Sequence, residues 1–105
     1  MANVFKNFVS NGVSTETSVM LVNAGTQTTI IGMNIANVGS TEATVDVKLT
    51  NTYIVKGLKI PTSSSAVVVG GDQKIVAVEN DDISVSSTGS NVDVLISVLE
   101  ITSSN

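Results

Sequence analysis

Turn-forming residues recur about every ten positions along this chain, and the stretches between them alternate apolar with polar. The punctuation falls at Asn11-Gly12, Asn23-Ala24-Gly25, Asn37 to Thr41, Asn51-Thr52, Pro61 to Ser65, Gly70-Gly71-Asp72, Glu79 to Asp82 and Thr88 to Asn91. Even spacing of this kind belongs to a β-sandwich or barrel. The cleanest strand lies over 43–50. There Val45, Val47 and Leu49 share one face, while Thr44, Asp46, Lys48 and Thr50 share the other. A helix would place Val45 and Val47 about 200° apart around its axis, so the pattern excludes one.

The same period assigns faces elsewhere. Val13, Thr15, Thr17, Val19 and Leu21 fall on one face of a strand. Ile31, Met33 and Ile35 fall on one face of the next, with Ile30, Gly32, Asn34 and Ala36 opposite. Ile83 and Val85 alternate with Ser84 and Ser86. Three segments depart from this order. Val67-Val68-Val69 is apolar on both faces, as is much of Tyr53 to Ile60. In the last strand Val92, Val94, Ile96 and Val98 share a face, and Leu95, Leu99 and Ile101 add apolar groups to the other. A small sandwich has one interior, so strands apolar on both faces predict a second layer or a second subunit. Scattered surface exposure is the plainer account of any one of them.

Composition agrees with the period. The chain is 42% hydrophobic and 3% aromatic, so its core is built from small branched aliphatics. These suit a pleated sheet and lose rotamer freedom in a helix. At 105 residues the chain has room for one domain over 1–105. Residues 1–12 carry the only phenylalanines, Phe5 and Phe8, and read equally as a first strand or as an arm on a neighbouring subunit. Residues 102–105 read as a frayed tail.

The side chains exclude most catalytic chemistry. There is no His, Cys, Trp or Arg, which removes the usual bases, thiolates and phosphate clamps. No catalytic, cofactor-binding or metal-binding residue is assigned, and the protein is not expected to be an enzyme. Five lysines, Lys6, Lys48, Lys56, Lys59 and Lys74, stand singly in a chain of net charge −4. Without a basic stripe, neither nucleic acid nor an anionic membrane is an expected partner. Zero cysteines leave the fold independent of an oxidising compartment. The first residues lack a secretory-signal pattern, so synthesis in the cytoplasm is expected.

Four motifs deserve a named alternative. Asp81-Asp82, with Glu79 and Asp72, is an oxygen-rich cluster of the type that holds Ca²⁺. It lacks EF-hand spacing, and a turn with Asn80 or Asp81 at its corner and solvated carboxylates is the simpler reading. Exchange of both aspartates for Asn is then expected to leave the fold unchanged. Gly70-Gly71-Asp72 lacks the Lys and helix of a phosphate loop and reads as a hairpin turn. Ser63-Ser64-Ser65 has no base and reads as a turn after Pro61. Tyr53 stands alone and forms no stacking platform for a glycan or base.

One ordered series of segments adds a resemblance. It comprises Thr28 to Asn37, Ala43-Thr44-Val45-Asp46-Val47, Tyr53 to Gly57 with Ile60-Pro61, Gly70 to Val76, Asp82-Ile83-Ser84-Val85 and Val92 to Ile101. In this order and spacing, over about residues 13–101, the chain resembles small all-β structural proteins of tailed bacteriophages, especially those of cyanobacterial and marine hosts. Such proteins are virion, decoration or tail proteins. The resemblance implies a fold and no functional residue.

Periodicity and resemblance together predict an all-β chain: a single antiparallel β-sandwich of about seven or eight strands, jelly-roll-like. The resemblance implies a capsid decoration (cement) protein located in the virion. Its implied partners are further copies of itself, as a homo-oligomer and by virion symmetry a trimer, and the major capsid protein or other virion proteins. A tail, collar or baseplate accessory module is the alternative within the same group. A lectin-like receptor-binding module is the alternative from another class, against which the shortage of aromatics counts.

Overall fold

The computed structural model describes residues 2–70 and 74–102. Nine strands carry the fold: β1 (Ala2–Val13), β2 (Thr17–Leu21), β3 (Thr26–Asn37), β4 (Ala43–Leu49), β5 (Thr52–Ile60), β6 (Ser65–Val69), β7 (Ile75–Ala77), β8 (Asp82–Thr88) and β9 (Val92–Thr102). No helix occurs among the described residues, and so none is long and apolar enough to cross a membrane. The larger sheet runs β1-β9-β3-β6, with β7 also paired to β3. The smaller runs β2-β8-β4-β5. All strand pairs are antiparallel, and the two sheets pack together as the sandwich that the periodicity predicts.

The strand count exceeds the expected seven or eight because β7 has only three residues, too few to leave a periodic signal. It also alters the reading of the glycine pair. Val69 pairs with Met33 and Ile75 with Ile30, so β6 and β7 run the same way along one side of β3. A hairpin would have reversed the chain between them. Gly71 and Asp72 themselves lie outside the described residues. Ala2–Val13 forms an edge strand on β9, in register from Ala2–Thr102 to Val13–Val92 with one shift between Ser10 and Val13. Thr102, expected to fray, pairs with Ala2 and Thr26; the rest of the expected tail lies outside the described residues.

The shared interior is aliphatic. Val45 and Val47 from β4, Ile83 and Val85 from β8, and Val92, Val94, Ile96 and Val98 from β9 are all buried in it. These positions follow the sequence phase. Other strands change phase at bulges, each of which turns later side chains to the opposite face. In β2 the register shifts between Ser18 and Met20, so Met20 is buried and Leu21 exposed, against the expected Val19–Leu21 face. In β3 it shifts between Ile30 and Gly32. Ile30 and Met33 are therefore both core residues, and Ile31 is not on the Met33 face. In β5 two shifts against β4 leave Ile54, Val55 and Leu58 all packed on the core. That segment's two-faced apolarity is absorbed inside the molecule.

One end of the sandwich is tied together by a buried amide. Asn37 closes β3, and its Nδ2 donates to the carbonyls of Thr41 at 2.8 Å and Ile60 at 2.9 Å. Its Oδ1 accepts from Gly39 N–H at 3.0 Å and Ser90 Oγ–H at 2.9 Å. All four hydrogen-bonding positions of the amide are used. Three loops thereby share one side chain. Thr41 Oγ1 donating to the Gly89 carbonyl and Thr62 Oγ1 donating to the Gly39 carbonyl at 2.8 Å extend the network. Gly89 is needed here: its φ is +89°, and a Cβ would lie 2.6 Å from the Glu42 carbonyl oxygen.

Two substitutions test this account. Val47→Asp places a charge in the aliphatic layer and should prevent folding; a soluble variant with a cooperative melt would show the strand face to be wrong. Asn37→Ala strands polar groups of three loops and should cost about 3 kcal/mol, read from the urea midpoint.

Candidate interaction surface

The acidic cluster of the sequence is a structural turn. Asn80 has φ +72° and occupies the corner, as expected. The carboxylate of Asp81 is not merely solvated. Oδ1 accepts from Thr50 Oγ1 at 2.8 Å and Oδ2 accepts from Val78 N–H at 3.0 Å. Thr50 itself has φ +53°, and its N–H donates to the Asp82 carbonyl at 2.8 Å. Asp81 thus ties the β7–β8 turn to the β4–β5 turn. Glu79 Oε1 accepts from Gly25 N–H at 3.2 Å, on a third loop. Among the described residues no three acidic groups converge on a metal position. Asp72 lies outside them.

The other candidates resolve similarly. Ser64 N–H donates to the Pro61 carbonyl at 3.2 Å, and Ser63 has φ +59°, which makes the expected turn. Tyr53 projects from β5, with Lys56 Nζ 4.5 Å and Lys48 Nζ 5.5 Å from its ring centre. The ring is occupied by cations of its own chain.

What remains is a contrast between the two outer faces. Directly opposed residues of an antiparallel pair share a face, so the register assigns each side chain. The outer face of the smaller sheet carries Asp46, Lys48 and Lys59, with Lys56 4.0 Å from Asp46 and Glu16 3.7 Å from Lys48. It is a mixed-charge, hydrated surface. The larger sheet differs. One row across it reads Phe5, Leu99, Thr29, Val76. Another reads Val9, Leu95, Asn34, Val67. Phe5 is 74% exposed, Val67 72% and Val9 58%. Asp93 is the one charged residue of this face among the described residues, and its Oδ1 accepts from Gly12 N–H at 2.8 Å. Lys6 and Glu100 fall in the inward phase and pair with each other at 3.3 Å.

Between β9, β3 and β6 this face dips into a recess of about 240 Å³. Gly32 contributes no side chain to it, while Leu95 and Val67 form apolar walls. The sequence marks Val67, Leu95, Leu99 and Ile101 as surplus apolar residues. It misses Phe5 and Val9 as members of the same surface. Their alternation with Lys6 and Phe8 was visible, but the pairing of β1 with β9 was not.

No protein-family model matches the sequence, and no curated protein matches it. Solved structures do share the fold. One is a chain of the Bacillus endospore appendages, described as disulfide-linked pili. It has a TM-score of 0.58 and 13% identity, over 98% of this chain and 88% of that one. Another is a chain of the acid-stable capsid of Helicobacter pylori bacteriophage KHP30, with a TM-score of 0.57 and 12% identity, over 95% of this chain and 87% of that one. At such identity the likeness is one of fold.

The Asp81 contacts revise the expectation for the acidic turn. Asp81→Asn keeps an acceptor for Thr50 and loses the one for Val78 N–H. It should cost about 1 kcal/mol in denaturant unfolding. Asp82→Asn, whose side chain holds no such contact in this turn, should cost less than half of that.

Proposed function

We propose that this chain is a non-enzymatic structural protein of a tailed-phage virion, a decoration protein seated on the outer capsid shell. The observation that carries the reading is the division of the two outer faces. A largely apolar face, built from Phe5, Val9, Val67, Leu95 and Leu99 and carrying Asp93 as its one charged residue among those described, has the character of the core of a protein–protein interface. The opposite face, with its lysines and carboxylates, has the character of a solvent surface. The protein would lie with the larger sheet against its capsid partner and the smaller sheet outward. Support comes also from the fold shared with a phage capsid chain and from the strand order. β1-β9-β3-β6 against β2-β8-β4-β5 is the order of an eight-stranded jelly roll, with β7 as an addition.

The fold shared with spore appendages favours a second reading, as the subunit of a filament. Disulfide linkage is not open to this chain, which has no cysteine, so filament contacts would have to be strand and side-chain contacts alone.

Immunogold electron microscopy of purified virions decides between these. Label spread over the heads is expected. Label confined to the tail or neck would reassign the protein as a tail accessory module. Virions without label, and label along free filaments, would replace the virion reading by the second one.

A further inference from the structure

The sandwich has four sheet edges, and three of them are blunted. β2 has five residues and a register shift. β5 has two shifts, the lysines Lys56 and Lys59, and Gly57 at φ +71°. The opposite edge of the larger sheet is divided into β6 and β7, of five and three residues. Short strands, lysines and bulges are the usual means of keeping an edge from pairing. β1 differs from all of these. It has twelve residues and holds an unbroken register on β9 from Ala2 to Ser10. It contains no proline, and its single charge, Lys6, is already paired with Glu100. Its outward side chains include Phe5 and Val9, among the most exposed large apolar residues of the chain.

From this edge we infer that two copies of the chain join through β1, antiparallel about a two-fold axis at Asn7. The occupant of the edge is a second copy because the strand is complementary to itself in that register. Phe5 lies opposite the partner's Val9, and Val9 opposite the partner's Phe5. Aromatic and β-branched residues make favourable cross-strand pairs. Lys6 lies opposite the partner's Phe8, so no like charges meet. An axis at Lys6 would set two lysines face to face. An axis at Phe8 would place Phe5 opposite the partner's Asn11. Axes further along would pair fewer residues or run into the bulge after Ser10.

The outer faces also agree with this register. Phe5 is beside Leu99 and Val9 beside Leu95 within one copy. The joint therefore carries two apolar rows across the seam, each made of a leucine, Phe5 or Val9, and their counterparts in the second copy. The result is one sheet continuous through both molecules, with an isologous contact that closes on itself. For a chain of net charge −4, association through a strand whose outer face has no acidic residue avoids like-charge contact. A three-fold contact made by strand addition would need β1 to add to one of the blunted edges. The edges thus favour a two-fold assembly over the trimer implied by the resemblance. The inference concerns the chain's own association and holds or fails independently of the virion role.

Sedimentation equilibrium of the purified full chain tests it. A dimer is expected. A chain that stays monomeric at its highest soluble concentration, or a trimer, would overturn the inference. Phe5→Lys with Val9→Lys sets lysines opposite each other twice and should weaken dimerisation at least about tenfold, with an unchanged melt of the monomer. Phe5→Lys with Val9→Glu sets opposite charges in the same positions and should restore the dimer. A dimer indifferent to the first pair, or a second pair that stays monomeric, would rule out this register. Asn7→Cys supplies a readout that does not depend on affinity. Opposed residues at a two-fold axis lie within reach of a disulfide after slight adjustment. Oxidation should trap an Asn7→Cys dimer and leave Thr44→Cys, on the opposite outer face, monomeric. Equal trapping of both would count against the β1 joint.

Discussion

The structure rests on a single layer of aliphatic side chains between two sheets. Valine, isoleucine, methionine and alanine fill it, and no aromatic residue is fully buried there. Small branched side chains stand on a pleated surface with little rotamer freedom to lose, so the layer is thin and well ordered. Its valine, isoleucine and methionine side chains each contribute on the order of 1.5–3 kcal/mol on burial. The polar features are arranged around this layer. Asn37 sits at one end of it with every hydrogen-bonding position used, and Asp81 braces turns that connect its strands. Neither amide nor carboxylate interrupts the layer itself.

That architecture explains which parts of the fold can be read from the sequence. Alternation over β4 and β9 is legible because both strands run without a phase change on their core face. Val45, Val47, Val92, Val94, Ile96 and Val98 are all buried where the period puts them. The period fails where a bulge adds a residue. Met20 and Leu21 exchange their expected places, and Ile30 and Met33 share the core although they are an odd number apart. A bulge is a relation between two strands, so one strand's sequence does not contain it. The glycine pair at 70–71 misleads for the same reason. Local turn chemistry is satisfied by a hairpin, yet β3 offers both flanking strands a place along the same side.

The apolar outer face is legible in a different way. Surplus apolar residues in β6 and β9 stand out because an interior already exists on the other face of each strand. The excess in β5 looks similar in sequence and has a different fate, since its bulges turn Ile54, Val55 and Leu58 all toward the core. Phe5 and Val9 stand among polar neighbours and carry no distinctive signal. They acquire meaning from the register, which sets them beside Leu99 and Leu95. Asn37 escapes notice too, as one asparagine among several in turn segments. Its role depends on three loops that are distant in sequence and meet only in the folded chain.

The position of β9 connects stability to assembly. It lies between β1 and β3, with valines and Ile96 facing the core and Leu95, Leu99 and Ile101 facing out. A strand of this composition is half satisfied in an isolated chain. Covering its outer face would give the larger sheet a second interior and bring the strand to the doubly buried state that its sequence fits. Any partner that binds the folded chain and not the unfolded one also stabilises it by mass action. A thin core and an apolar outer face are therefore parts of one solution. The interior suffices to set the strand register, and the register displays the apolar surface that a partner would cover.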